Sequence, residues 1–188
     1  MSQPMPFDAQ KAVLDMAEAI FEASYPEIPK HKGCVFWASA MAQSLTTFGV
    51  QARLCAGSAQ WLFRPLPPGD GPNAFSYVFD TKEAFAQLER GMLPEMHAWV
   101  ILGTEHRDSS KVTIVDASSK YQPQQAKEMC GYDWHPDYMP PAWLWMTLPE
   151  MAKQEQVLYM PDMTATTMVR GFLQSYHLRK YGKSPSIY

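Results

Sequence analysis

Two short runs rich in valine and isoleucine constrain this chain more than any other feature: residues 96–103 (MHAWVILG) and 111–117 (KVTIVDA). β-Branched side chains suit strands, because two substituents on Cβ pack well on a pleated, half-buried surface. The polar stretch between the runs, 104–110, is too short for the crossover that parallel strands need, so the pair is predicted to be antiparallel. In that arrangement the start of one strand lies beside the end of the next. His97 and Asp116 then become neighbours across the ladder, within range of a carboxylate–imidazole contact.

Upstream, Asp8 fits the N-cap of a helix running to about Ser24, with Val13, Met16, Ala17, Ile20 and Phe21 at core-facing spacing. Pro26 and Pro29 make 25–32 an extended approach segment. A second helix is expected over 33–48, where Cys34, Trp37, Ala38, Met41, Ala42, Leu45 and Phe48 share a face and Gly49 supplies the stop. Its small, apolar composition suits a central helix packed on more than one side. A strand follows over 51–63, then a proline- and glycine-rich surface loop over 64–72. Asp80 and Glu83 stand at capping-box spacing before a short helix over 81–90.

Prolines at 123, 136, 140, 141 and 149 predict a long ordered loop or lid over 122–149, packed by Trp134, Trp143 and Trp145. Packing beneath that loop is the expected role of the tryptophans, with the roof of an acyl or peptide groove as the alternative. Residues 156–160 read as a further strand, and 164–181 as a closing helix with Met168, Phe172 and Tyr176 on one stripe. Helices first and mainly antiparallel strands after them predict an α+β fold. The chain has 188 residues, 46% of them hydrophobic, which suits one core. Residues 1–188 are therefore expected to form a single domain.

A net charge of −3 with scattered Lys and Arg argues against nucleic-acid binding, and no apolar run approaches a membrane span. The start Met1-Ser2-Gln3-Pro4 lacks the features of a signal peptide, so a cytoplasmic location is expected. Cys34, Cys55 and Cys130 are an odd number without a close pair, which predicts at least one free thiol. His31 and Cys34 are spaced like metal ligands but lack a second pair, and His106 and His135 lie in polar stretches, so no metal is expected. Cys55 reads as a core thiol and Cys130 as a more exposed, possible second reactive group.

A cysteine at the first turn of a helix sits where the helix dipole and free N–H groups favour an anion. Cys34 is placed this way, and Gly33 before it would let an acyl substrate approach the backbone. The Cys34 N–H would then donate to the oxyanion of an acyl-transfer intermediate. His97 would serve as the base, and Asp116 would set its tautomer and stabilise the imidazolium. Each residue also has a plainer reading: a buried thiol, a satisfied histidine, a turn-starting aspartate.

Gly33-Cys34-Val35-Phe36-Trp37-Ala38 and the following Gly49-Val50-Gln51-Ala52-Arg53 resemble the nucleophile helix and next strand of transglutaminase-like proteins. Met96-His97-Ala98-Trp99-Val100 is similar to their histidine strand, and Val115-Asp116-Ala117-Ser118 to their aspartate strand. The resemblance spans roughly residues 33–119 and implies a papain-like core, with a nucleophile helix packed on a mainly antiparallel sheet. It implies a Cys34–His97–Asp116 triad acting through an acyl-enzyme on a peptide, protein or small acyl substrate, without a cofactor. Arylamine N-acetyltransferase-like acetyl transfer and an inactive interaction module are the alternatives it leaves. One departure stands out: 26–31 reads Pro-Glu-Ile-Pro-Lys-His, with no glutamine where papain-type enzymes place an oxyanion donor.

Overall fold

The computed structural model describes residues 5–65, 71–90, 92, 94–103 and 112–183. The chain begins with helices α1 (Phe7–Ser24) and α2 (Cys34–Thr47), followed by β1 (Ala52–Leu62), β2 (Ala74–Tyr77) and α3 (Thr81–Glu89). Strands β3 (His97–Leu102) and β4 (Thr113–Asp116) come next, then α4 (Gln122–Cys130), β5 (Leu144–Thr147) and α5 (Leu148–Gln154). Strand β6 (Val157–Pro161) and helix α6 (Met163–Tyr181) complete the order. The fold is α+β with a curled antiparallel sheet.

β1 is the hub of that sheet. Gly57 pairs with both His97 of β3 and Pro161 of β6, so these strands take opposite edges of β1. Ala59 pairs with Tyr77 of β2 and Tyr159 of β6, so β2 continues along the edge that β3 begins. β4 then joins β3, and β5 joins β4. Glycine at 57 is a steric necessity. A Cβ there would collide with the Met160 carbonyl oxygen and sit 2.8 Å from the Asp162 amide nitrogen.

Period-two alternation along the strands divides two cores. Leu54, Ala56, Ala98, Val100, Val115 and Ala117 meet α1, α2 and α6 on one side. Cys55, Ala59, Trp61, Trp99 and Ile114 meet Phe63, Phe75, Leu144 and Tyr159 on the other. α2 is buried on nearly every side, and its small residues Ala38, Ser39, Ala40, Ala42 and Ser44 let neighbours approach closely. Val13, Ala17 and Phe21 of α1 pack on it; burying a valine or phenylalanine side chain stabilises by about 1.5–3 kcal/mol.

Several expectations need correcting. Residues 122–149 are not a long loop or lid: they form α4 and β5, with a 3₁₀ turn at Pro136–Tyr138 and the start of α5. Pro123 and Pro149 occupy the first turns of α4 and α5, where a missing N–H costs nothing. The core therefore extends well beyond 33–119, since β5, β6 and α6 all contribute to it. Asp8 is not a cap but lies inside the first turn; α1 begins at Phe7, after Pro6 and without a side-chain cap. Within 25–32, residues Lys30–Lys32 form a 3₁₀ turn.

On α6 the buried positions are Ala165, Thr166, Val169, Leu173 and His177, while Met168, Phe172 and Tyr176 pack on its flank. Phe48 at the end of α2 is exposed. At α3 one half of the expected box forms: Asp80 Oδ1 accepts from the Glu83 N–H at 2.9 Å. The turn 104–110 and residues 66–70 of the 64–72 stretch lie outside the described residues. No described helix is long and apolar enough to cross a membrane.

Candidate active site

Cys34 is the first residue of α2, and no side chain caps that helix. Gly33 O accepts from the Trp37 N–H at 2.8 Å, which leaves the earlier N–H groups of the first turn facing outward from the helix end. The role assigned to Gly33 changes here. Gly33 is buried, and a Cβ on it would come within 2.9 Å of the Phe21 ring and 3.2 Å of Ile28. Packing, not substrate approach, demands glycine at that position.

His97 and Asp116 share a face with Trp99 and Ile114, two residues away on their strands, so they belong to the side of the sheet opposite the one α2 packs on. Cys34 meets them because the N-terminus of α2 lies at the start of β3, where its Sγ is 4.0 Å from the Met96 carbonyl oxygen. The β3–β4 register places Val100 opposite Val115, so Asp116 is diagonal to His97. Such diagonal pairs lie on one face, within reach of long side chains. Here His97 Nε2 stands 2.8 Å from Asp116 Oδ2.

The carboxylate is fully engaged. Asp116 Oδ2 also accepts from the Tyr159 hydroxyl at 2.6 Å. Oδ1 accepts from the Ser118 N–H and the Ser118 hydroxyl, each at 2.7 Å. Burial pushes its pKa up, but the His97 charge and the hydrogen bonds from His97, Ser118 and Tyr159 outweigh that and hold it below the ordinary value. Since Asp116 stays ionised, Nε2 of His97 carries a proton and donates it.

His97 is completely buried. Trp61 meets it edge-on at 4.9 Å between ring centroids, Tyr77 lies nearly parallel at 5.4 Å, and Trp99 and Tyr159 flank it. Burial disfavours a charged ring, but the Asp116 charge and hydrogen bond, with help from Cys34, raise its pKa to about 9. Nδ1 is sealed from solvent and makes no hydrogen bond of normal geometry among the described residues. The half-buried Cys34 thiol nevertheless lies close enough to help hold the ring's proton.

All three residues singled out in the sequence thus come together. Tyr159, Ser118, Trp61 and Tyr77 were not anticipated. Asp116-Ala117-Ser118 carries the local signal of an aspartate bonding the N–H two residues on, whereas Tyr159 arrives from a distant strand with no local signal.

The remaining candidates lie elsewhere or serve packing. His31 pairs with Glu128 at 3.1 Å, Cys55 is buried beside Thr166, and Cys130 is exposed. His135 caps a 3₁₀ turn, and His106 lies outside the described residues. Trp134 packs on Phe63 and Phe75, Trp143 on Phe7, and Trp145 against the α2 core. The cleft between Trp61, Trp134, Tyr138 and Pro140 measures about 20 Å³, room for a water molecule and not for an acyl chain. Among the described residues no group of three or more His, Cys, Asp and Glu side chains is arranged to hold a metal ion.

No family model matches the chain, and no match was found among curated proteins or solved structures.

Proposed function

We propose that this protein is a thiol-dependent acyltransferase or amide hydrolase of the transglutaminase-like, papain-like kind. The observation that carries the reading is the division of labour on the His97 ring. Nε2 is committed to Asp116, and the other nitrogen is left without a normal hydrogen bond beside a thiol at a helix start. A ring whose pKa is raised to about 9 remains an imidazolium at neutral pH and favours an ion pair with the Cys34 thiolate.

In the reaction the Cys34 sulfur forms a bond to the substrate carbonyl carbon, and the carbonyl electron pair moves onto oxygen. Collapse of that intermediate breaks the bond to the leaving group, which takes the proton held on His97. Water or an amine then attacks the acyl-enzyme, returning its own proton to His97 and releasing the sulfur. Asp116 keeps the ring in the tautomer and orientation that each step needs. A peptide, protein or small acyl compound supplies the carbonyl.

The interaction-module alternative calls for a sulfur sealed beneath 122–149. Cys34 is partly exposed and those residues are not a lid, which favours turnover. Iodoacetamide labelling at near-neutral pH tests the reading. Cys34 should alkylate faster than a model thiol, and His97→Ala should slow it sharply. Labelling at the model-thiol rate in the wild-type protein rules the enzyme out.

A further inference from the structure

We propose that Tyr77 is a catalytic residue whose phenol donates the second hydrogen bond to the oxyanion formed at Cys34. This inference rests on the acyl-transfer reading above. A tetrahedral intermediate is commonly held by preorganised donors aimed at the developing charge, and the Cys34 N–H supplies only one. The chain has no glutamine before the cysteine to provide another.

The candidates near His97 can be sorted by access. The Trp61 and Trp99 indole N–H groups are sealed from solvent. The Tyr159 hydroxyl is spent on Asp116 Oδ2 at 2.6 Å. Tyr77 differs from all three. It ends β2, across the ladder from Ala59, and its ring lies within 23° of parallel to His97, with centroids 5.4 Å apart. Tyr77 as a whole is 8% exposed, and its hydroxyl is neither bonded to another described residue nor among the buried polar atoms without a partner, so it reaches the surface.

Tyr77 is also electrostatically close to the sulfur. After burial itself, charge on Cys34 is the strongest influence holding the phenol proton, ahead of Asp116 and Glu95. The phenol therefore stays protonated well above its ordinary range and remains a donor at neutral and alkaline pH. Its role is balanced without proton transfer. As the C–S bond forms, the carbonyl oxygen gains an electron pair and accepts from the Tyr77 O–H and the Cys34 N–H. On collapse the pair returns to carbon, and His97 protonates the leaving atom.

Tyr77→Phe keeps the stacked ring and deletes only the hydroxyl. Two reagents then separate the roles, read at Cys34 by peptide mass mapping in a Cys130→Ser background. Acylation by p-nitrophenyl acetate passes through an oxyanion and should slow about 100-fold, the usual loss for one such donor. Alkylation by iodoacetamide forms no oxyanion and should keep its wild-type rate and pH profile. Unchanged acylation overturns the assignment, and so does a parallel loss of both rates, which marks a packing role. A wild-type Cys34 inert to both reagents sinks the acyl-transfer reading and this inference together, whereas a reactive wild type with an unaffected variant sinks this one alone.

Discussion

Two buried histidines stand on opposite sides of the sheet, each in contact with a tyrosine, and their surroundings push them in opposite directions. His97 is buried against Tyr77 and Tyr159 and is raised to about 9. His177 of α6 is within 2.8 Å of the Tyr25 hydroxyl, which is also 2.8 Å from Ser39 Oγ. Burial lowers the His177 pKa, and Lys180 lowers it further. At His97 the Asp116 charge overcomes desolvation, whereas at His177 burial and the Lys180 charge push the same way. One network ties α6 to α2 and α1; the other holds a proton ready for a sulfur.

Deleting the carboxylate should erase that contrast, and it carries the largest expected effect. Asp116→Asn strips a buried ion pair of one member, a change that typically costs about 3–5 kcal/mol. NMR titration should find His97 falling below its ordinary value, as His177 does, and Cys34 alkylation should collapse towards the model-thiol rate. If His97 still titrates near 9 in that variant, the account of its proton is wrong.

The next largest effect is in the pH dependence of stability. For His97, whose folded pKa is raised, the stabilisation is complete below the ordinary histidine value of 6.5 and is lost as pH rises from there through about 9. For Asp116, whose folded pKa is lowered, it is present above the ordinary 3.8 and lost as pH falls through the folded value. For His177, also lowered, it is present above 6.5 and lost as pH falls through the folded value. Denaturant midpoints measured across this range should show His97→Gln flattening the alkaline limb and His177→Gln easing the loss on the acid side. The reverse assignment would break the comparison.

The smallest effect separates the two tyrosines that touch hydrogen-bond networks. Tyr25→Phe removes its bonds to Ser39 and His177 and should cost about 1–3 kcal/mol, read by urea unfolding, with Cys34 alkylation intact. Tyr159→Phe removes one donor from Asp116 and should cost about 1 kcal/mol while altering the pH profile of alkylation. Equal effects of both on alkylation would mean that the networks are not separate.

Legibility in the sequence followed the range of the interactions. β3, β4 and α2 were legible because valine–isoleucine runs, small apolar residues and Gly49 act locally, and those elements alone bring Cys34, His97 and Asp116 together. Residues 122–149 look like a loop in sequence because prolines usually break elements, whereas Pro123 and Pro149 sit in first helical turns and Gly131 closes α4 at φ +73°. On α6 the stripe of Met168, Phe172 and Tyr176 packs partly buried against the core, while the burial of Thr166 depends on its bonds to the Ala56 backbone and has no local cue. Tyr159 had no local cue, since its role exists only once β6 lies along β1.

Gly57 cannot take a side chain without displacing β6, although it contributes no functional group. Its missing side chain is the slot through which the β6 backbone passes, and that backbone delivers Tyr159 to the carboxylate. Swelling the slot by one methyl group would loosen a proton's environment on the neighbouring strands. Tolerance to mutation around this centre is thus governed partly by an atom that is not there.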